Sequence, residues 1–238
     1  MIELPAETWA QIHAHAAKEF PREACGLIVV RHGRRQYQPC RNIAQQGADF
    51  FELAPEDYAA AEESGGVFAV VHTHPNASAN PSEADRVECE RSGLPWLIVG
   101  WPSAAAHYME PSGYAAPLVG RPFIYGVLDC YTLARDYYAR ECGWELPQLS
   151  YPPKWWETGA NLYVEGYAAA GFVAVQGPPQ KHDALLMRIA SPVPNHAAVF
   201  LGGNKILHHI QGRVSTREVF GGWYRRAHTH TLRHQSLA

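Results

Sequence analysis

Five cysteines dispersed over 238 residues, with no Cys-x-x-Cys pair among them, are too few for a disulfide framework and wrongly spaced for a thiolate zinc site. Their number is odd (Cys25, Cys40, Cys89, Cys130, Cys142), so any cysteine chemistry rests on a single thiol. Charge of one sign is missing as well. Lys and Arg total 20 against 23 Asp and Glu, and a formal net charge of -3 offers no attraction for a phosphate backbone or an anionic membrane. Nucleic acid is therefore not expected as a partner. No apolar run approaches the roughly 18 residues of a membrane span. The opening MIELPAETWAQIHAHAAKEF lacks a basic segment followed by an apolar one, so no signal peptide is expected and the chain should stay soluble in the cytosol where it is made. Internal repeats and low-complexity tracts are absent too. What remains is ordinary globular composition, 47% hydrophobic and 18% charged, long enough for two domains of about 100 residues.

Residues 4–20 carry Trp9, Ile12, Ala16 and Phe20 at helical steps and end at Pro21. CGLIVV and RRQYQPC flank His32-Gly33 as a hairpin would. A helix in APEDYAAAEESGG, a buried strand in GVFAVVHTHP, a helix in PSEADRVECERSG and a strand in PWLIVGWP follow, so this half reads as α/β. EPSGYAAPLVGRP then breaks the periodicity with Pro, Gly and Ser, which places a boundary near residue 110 and an exposed, cleavable linker near 111–121. Beyond it lie a helix in YGVLDCYTLARDYYARECGW, a Pro- and Trp-rich stretch, a helix at 160–170 and two strand-like runs in HAAVFLGGNKILHHI, an α+β order. The expected domains are 1–112 and 118–238. His228, His230 and His234 have metal-compatible spacing, but a polar, frayed terminus is the expected reading.

Two stretches carry chemistry. His72 and His74 stand two apart at the end of a strand and so point to one face, and the following helix can return Asp85 as an oxygen ligand. Two imidazoles and a carboxylate with an open fourth position suit a catalytic zinc site. Ser82 and Asp85 also form a Ser-x-x-Asp helix-capping pattern. In the second half Cys130 opens a helix, where the N-terminus favours the thiolate. His196 is a candidate base. A three-residue loop at Leu201–Gly203 sets His208 directly opposite it, whereas a two-residue loop at Gly202-Gly203 puts His209 there.

The first stretch, His72-Thr-His74-Pro with Ser82 and Asp85 in the pattern H-x-H-x7-S-x2-D and Glu23 upstream in PREACGLIVV, resembles the JAMM or MPN-plus zinc isopeptidases over about residues 1–110. That resemblance implies a cytidine-deaminase-like α/β sheet, Zn2+ held by His72, His74 and Asp85, Glu23 as base, and Ser82 supporting the oxyanion. The second stretch resembles the NlpC/P60 papain-like cysteine peptidases over about residues 118–235. There Cys130 follows Asp129, His196 opens His-x-x-Val-Phe-Leu-Gly, and a third polar residue twelve positions on is His208. Tyr125 lies near a tyrosine of that family, and Trp155 and Trp156 are as suited to core as to a cleft. The implied activity is cleavage of peptidoglycan stem peptides between D-glutamate and a diamino acid, with the Cys130 N–H in the oxyanion hole.

The pair of domains resembles the K-type tail tip assembly proteins of long-tailed bacteriophages. This implies other tail-tip proteins and the wall peptide as partners, and residence in the host cytoplasm during assembly and then at the virion tail tip or the cell wall. The rival expectation is an assembly factor that docks tail components and whose catalysis is incidental.

Overall fold

The apolar periodicity near the N-terminus becomes helix α1, Ala6–Glu19, with Ile12 and Ala16 buried along one stripe. Strands β1, Cys25–Arg31, and β2, Arg34–Cys40, form the expected hairpin, and His32 and Gly33 both take positive φ, as a two-residue turn of this hand requires. Helix α2, Pro55–Ser64, strand β3, Gly66–Pro75, helix α3, Glu83–Ser92, and strands β4, Trp96–Trp101, and β5, Ala106–Met109, follow. The computed structural model describes residues 2–45 and 50–237, and the chain divides into two compact units, Met1–Ala115 and Ala116–Ala238.

The first unit is a five-stranded sheet in the order β2-β1-β3-β4-β5. Only β3 and β4 run parallel, and α3 is the crossover that this direction demands. Ile12 of α1 packs with Ile28, Val71 and Leu97 on one face, while Ala61 of α2 and Cys89 of α3 pack with Leu27, Val70 and Trp96 on the other. Covered on both sides, the central strands read as unbroken apolar runs rather than alternating ones. Strand β5, short and half-exposed, leaves no such signature and is not expected from the sequence.

The second unit contains helix α4, Cys130–Cys142, helix α5, Leu162–Gly166, strands β6, Phe172–Val175, β7, Ala184–Met187, β8, His196–Gly202, β9, Lys205–His208, and β10, Thr216–Val219, helix α6, Gly222–Ala227, and strand β11, His228–His234. Its six strands form an antiparallel sheet in the order β10-β9-β8-β7-β11-β6. Leu133 and Tyr138 of α4 share a core with Ala197, Val199 and Leu207 on one face, and Phe200, Ile206 and Met187 cluster with Tyr224 and Ala227 of α6 on the other. This is the expected α+β arrangement.

Two expectations are corrected, and a third gains an addition. The helix expected at 160–170 spans only Leu162–Gly166. His228, His230 and His234 do not fray: they lie on β11, between β7 and β6, with Thr231 and Leu232 buried and paired to both neighbours. The segment expected to be an exposed linker is largely exposed, at residues 111–113, 115, 117, 119 and 120, and its backbone is nonetheless held by hydrogen bonds. Glu90 of α3 accepts the backbone N–H groups of Ser112, Gly113 and Tyr114, and Arg121 is fully buried on Asp136 and the carbonyl of Pro117. Among the described residues no helix is long and apolar enough to cross a membrane.

Gly26 lies on β1 with no room for a side chain: an added Cβ would stand 2.5 Å from the carbonyl oxygen of Gln38 and 2.6 Å from the Tyr37 ring. Gly26→Ala is expected to destabilise the first unit by about 1–3 kcal/mol. Urea unfolding of the variant checks this as a lower midpoint.

Candidate active sites

Strand alternation sets His72 and His74 on the α2 and α3 side of the sheet, where His72 is fully buried, stacked on Phe51 at 4.6 Å and edge-on to Trp96 at 5.3 Å. Helix α3 returns Asp85 to them from its first turn. A reciprocal capping box fixes that turn: the Ser82 N–H donates to Asp85 Oδ2 at 2.6 Å and the Asp85 N–H donates to Ser82 Oγ at 3.1 Å. The Nε2 atoms of His72 and His74 are 3.1 Å apart and lie 3.3 and 3.4 Å from the two carboxylate oxygens of Asp85.

These separations fit an ion. Four ligands at the usual zinc distances in a tetrahedron stand about 3.3 Å from one another. The Nδ1–H of His74 donates to the Ser78 carbonyl at 2.9 Å, which leaves its Nε2 as the electron-pair donor. The donor set of two imidazoles and one carboxylate is thus aimed at one point. Burial opposes ionisation of Asp85, but hydrogen bonds from both imidazoles and the Ser82 N–H hold its carboxyl well below the usual range. Burial also lowers the pKa of His72. In His74 that effect is outweighed by its hydrogen bonds to Asp85 and Ser78 and by the charges of Asp85 and Glu23, so its pKa rises. Glu23 is buried just before β1, beside β3: the Ala24 N–H donates to Thr73 Oγ1 at 2.9 Å, and the Thr73 N–H donates to the Ala24 carbonyl at 3.0 Å.

In the second unit Asp129 is the N-cap of α4. Its Oδ1 accepts the N–H groups of Tyr131 and Thr132, both at 3.0 Å, and its Oδ2 accepts the Gly126 N–H at 2.9 Å and the Tyr151 hydroxyl at 2.7 Å. Cys130 is therefore the first helical residue. Its thiol lies 3.3 Å from the Tyr163 hydroxyl and accepts the backbone N–H of Ala197, the residue after His196. His196 and His208 are both buried and meet edge to face, with Nε2 of His196 3.3 Å from Nδ1 of His208.

Neither loop expected from the sequence is the one formed. The turn is Gly203-Asn204, both left-handed, with an irregularity between Phe200 and Gly202, and His208 pairs with Ala198. His196 and His208 are thus diagonal neighbours rather than direct partners. His209 points to the other face, against the Phe123 ring at 5.0 Å. Tyr125 donates to the Pro152 carbonyl at 3.0 Å, Trp155 is core, and Trp156 packs beside that core. Tyr163, from the short helix α5, and Tyr151, from a loop, touch the thiol and its cap and carry no signal in their spacing.

Burial pushes the Cys130 thiol up to about 12 and His196 down to about 3, so both groups are neutral at pH 7. Burial likewise lowers His208, and takes His209 to about 4. Below the ordinary value of 6.5 the unfolded chain binds protons that the folded chain refuses, so stability is complete above that pH and is lost as the pH falls toward these depressed values. Each such histidine contributes a slope of about 1.4 kcal/mol per pH unit in that window. Urea midpoints of the second unit should fall with the pH across it, and His209→Gln should flatten the fall.

Family models match both halves of the chain. Residues 5–110 match the model of prokaryotic homologs of the JAB domain, and residues 120–233 match the NlpC/P60 family. The chain is 39% identical over 228 residues to the Tail tip assembly protein K of Escherichia phage N15, covering 95% of this chain and 93% of that one. It is 40% identical over 179 residues to the protein of the same name in Escherichia phage lambda, covering 74% and 87%. A JAB1/MPN domain protein from Archaeoglobus fulgidus overlays 49% of this chain and 95% of its own at 20% identity, with a TM-score of 0.34. The chain belongs to the family of tail tip assembly proteins K, in which an N-terminal JAB-type domain precedes a C-terminal NlpC/P60 domain.

Proposed function

We propose that this protein is a tail-tip peptidase whose second unit cuts peptidoglycan stem peptides between D-glutamate and a diamino acid, acting during host wall penetration or tail assembly. The observation that carries the reading is the Cys130 thiol at the capped start of α4, against β8 where His196 and His208 are joined. With Nε2 engaged by His208, the free ring nitrogen of His196 is Nδ1. In this reading Nδ1 takes the thiol proton as sulfur attacks the scissile carbonyl, and returns it to the leaving amine. The Cys130 N–H, one of the first amides of a helix and so without an intrahelical acceptor, would be a donor for the developing oxyanion. The resting pair is neutral, so the thiolate forms with substrate in place rather than standing ready.

The first unit, on the same proposal, is a zinc-dependent amide or isopeptide hydrolase. His72, His74 and Asp85 would hold the metal, which when bound supplies a Lewis acid and lowers the pKa of water. Glu23 would take a proton and pass it to the leaving amine, and Ser82, already the cap of α3, would support the oxyanion. Other tail-tip proteins are the proposed partners, first in the host cytoplasm and then at the virion tail tip or the cell wall.

A second reading, a docking factor without catalysis, draws on the full burial and neutrality of the thiol and His196. Mass spectrometry of muropeptides released from purified peptidoglycan separates the two. Peptidase action predicts release by the intact protein and by His74→Ala, and at least about a thousandfold less by Cys130→Ala. No release by any variant would favour docking. Metal analysis tests the first unit: near-stoichiometric zinc is expected in the purified protein and almost none in His74→Ala, while a folded, metal-free wild type would sink the zinc reading.

A further inference from the structure

The Cys130, His196 and His208 arrangement has a fourth group behind it. Strand β10 pairs with β9 so that Thr216 faces His208 and Glu218 faces Ile206, which puts the Glu218 side chain on the same face as His208, one step along. Its Oε2 lies 3.6 Å from Nε2 of His208, the ring nitrogen opposite the one that meets His196. That nitrogen is buried and has no nearer partner among the described residues. The carboxylate is itself held. Arg213 donates to one oxygen and the Tyr224 hydroxyl to the other, and the Tyr224 ring meets His208 edge-on at 4.8 Å.

A neutral imidazole has one donor and one acceptor nitrogen, so whatever fixes the proton on one atom fixes the role of the other. A carboxylate accepts only. Opposite Nε2 of His208 it favours the proton there and makes Nδ1 of His208 an acceptor. The facing Nε2 of His196 must then donate, which leaves Nδ1 of His196 with the lone pair. The opposite tautomer of His208 would reverse every step and leave His196 unable to take a proton from the thiol through Nδ1.

We propose that Glu218 is a positioning residue of the cysteine site, which through His208 sets the tautomer of His196. The inference rests on the peptidase reading of the second unit for its catalytic meaning, and on geometry alone for its tautomer. Glu218 does not touch the reacting atoms. It plays the part that a buried acid plays behind the histidine of a serine-type triad, with one more imidazole interposed.

The test is 15N NMR of the imidazole nitrogens in the full chain at about pH 8, above the ordinary histidine range. The wild type should show protonated Nε2 in both His196 and His208. Glu218→Gln and Glu218→Ala should populate the Nδ1–H form of His208, and where the wild type releases muropeptides their kcat should fall about tenfold or more with KM within about twofold. A wild-type His208 carrying its proton on Nδ1 overturns the proposal, and so does an unchanged tautomer in either variant that folds. Should neither variant fold, the wild-type spectrum alone decides. If the wild type releases no muropeptides while the tautomers shift as stated, the peptidase reading fails and the positioning role of Glu218 stands.

Discussion

At the N-terminus of α3 the amide of Ser82 bonds to Asp85 while the amide of Asp85 bonds back to Ser82, and at the N-terminus of α4 Asp129 and Thr132 exchange bonds in the same way. Both candidate sites hang on these reciprocal caps. The first four N–H groups of a helix have no partner within it, and a short polar side chain that satisfies them also fixes which residue begins the helix. In α3 the cap orients the very carboxylate that meets His72 and His74. In α4 it makes Cys130 the first helical residue and turns its thiol toward β8. The Asp129 carboxylate takes four donors within 3.0 Å, two of them from outside the helix, so the loop before α4 and Tyr151 are bound to the same point.

Burial gives the two sites opposite characters. Around Asp85 the hydrogen bonds of two imidazoles outweigh the cost of removing a charge from water, so the carboxylate stays ionised and the cluster is primed for a cation. Around Cys130 the neighbours are a tyrosine hydroxyl, a backbone amide and aromatic rings, and the neutral forms of thiol and imidazole prevail. One arrangement holds a charge and the other holds neutral groups, and the two share no residues.

Much of this was legible in the sequence because it depends on short-range geometry. Alternation along a strand puts His72 and His74 on one face, a Ser-x-x-Asp step closes a helix and returns Asp85, and an Asp before Cys130 marks a helix start. None of these needs knowledge of what lies across the fold. The histidine partner of His196 was a different matter. Gly202, Gly203 and Asn204 all accept left-handed backbone, so several turns are locally open to the chain, and the choice between His208 and His209 follows from which one forms. The C-terminal histidines misled for a related reason: a polar stretch looks frayed until two flanking strands supply its backbone partners.

The sequence by itself determined the order of the first unit's main elements, the two-part organisation and the identity of the metal-ligand and nucleophile candidates, because these follow from interactions within a few residues along the chain. Tertiary structure alone decided the register of β8 on β9, the insertion of β11 between β7 and β6, the approach of Tyr163 to the thiol and the placing of Glu218 behind His208. The contacts of β11 and of Tyr163 join residues far apart in sequence, and the other two depend on which turns close the hairpins. Which of them forms depends on how every strand and turn packs together, and no local pattern carries that information.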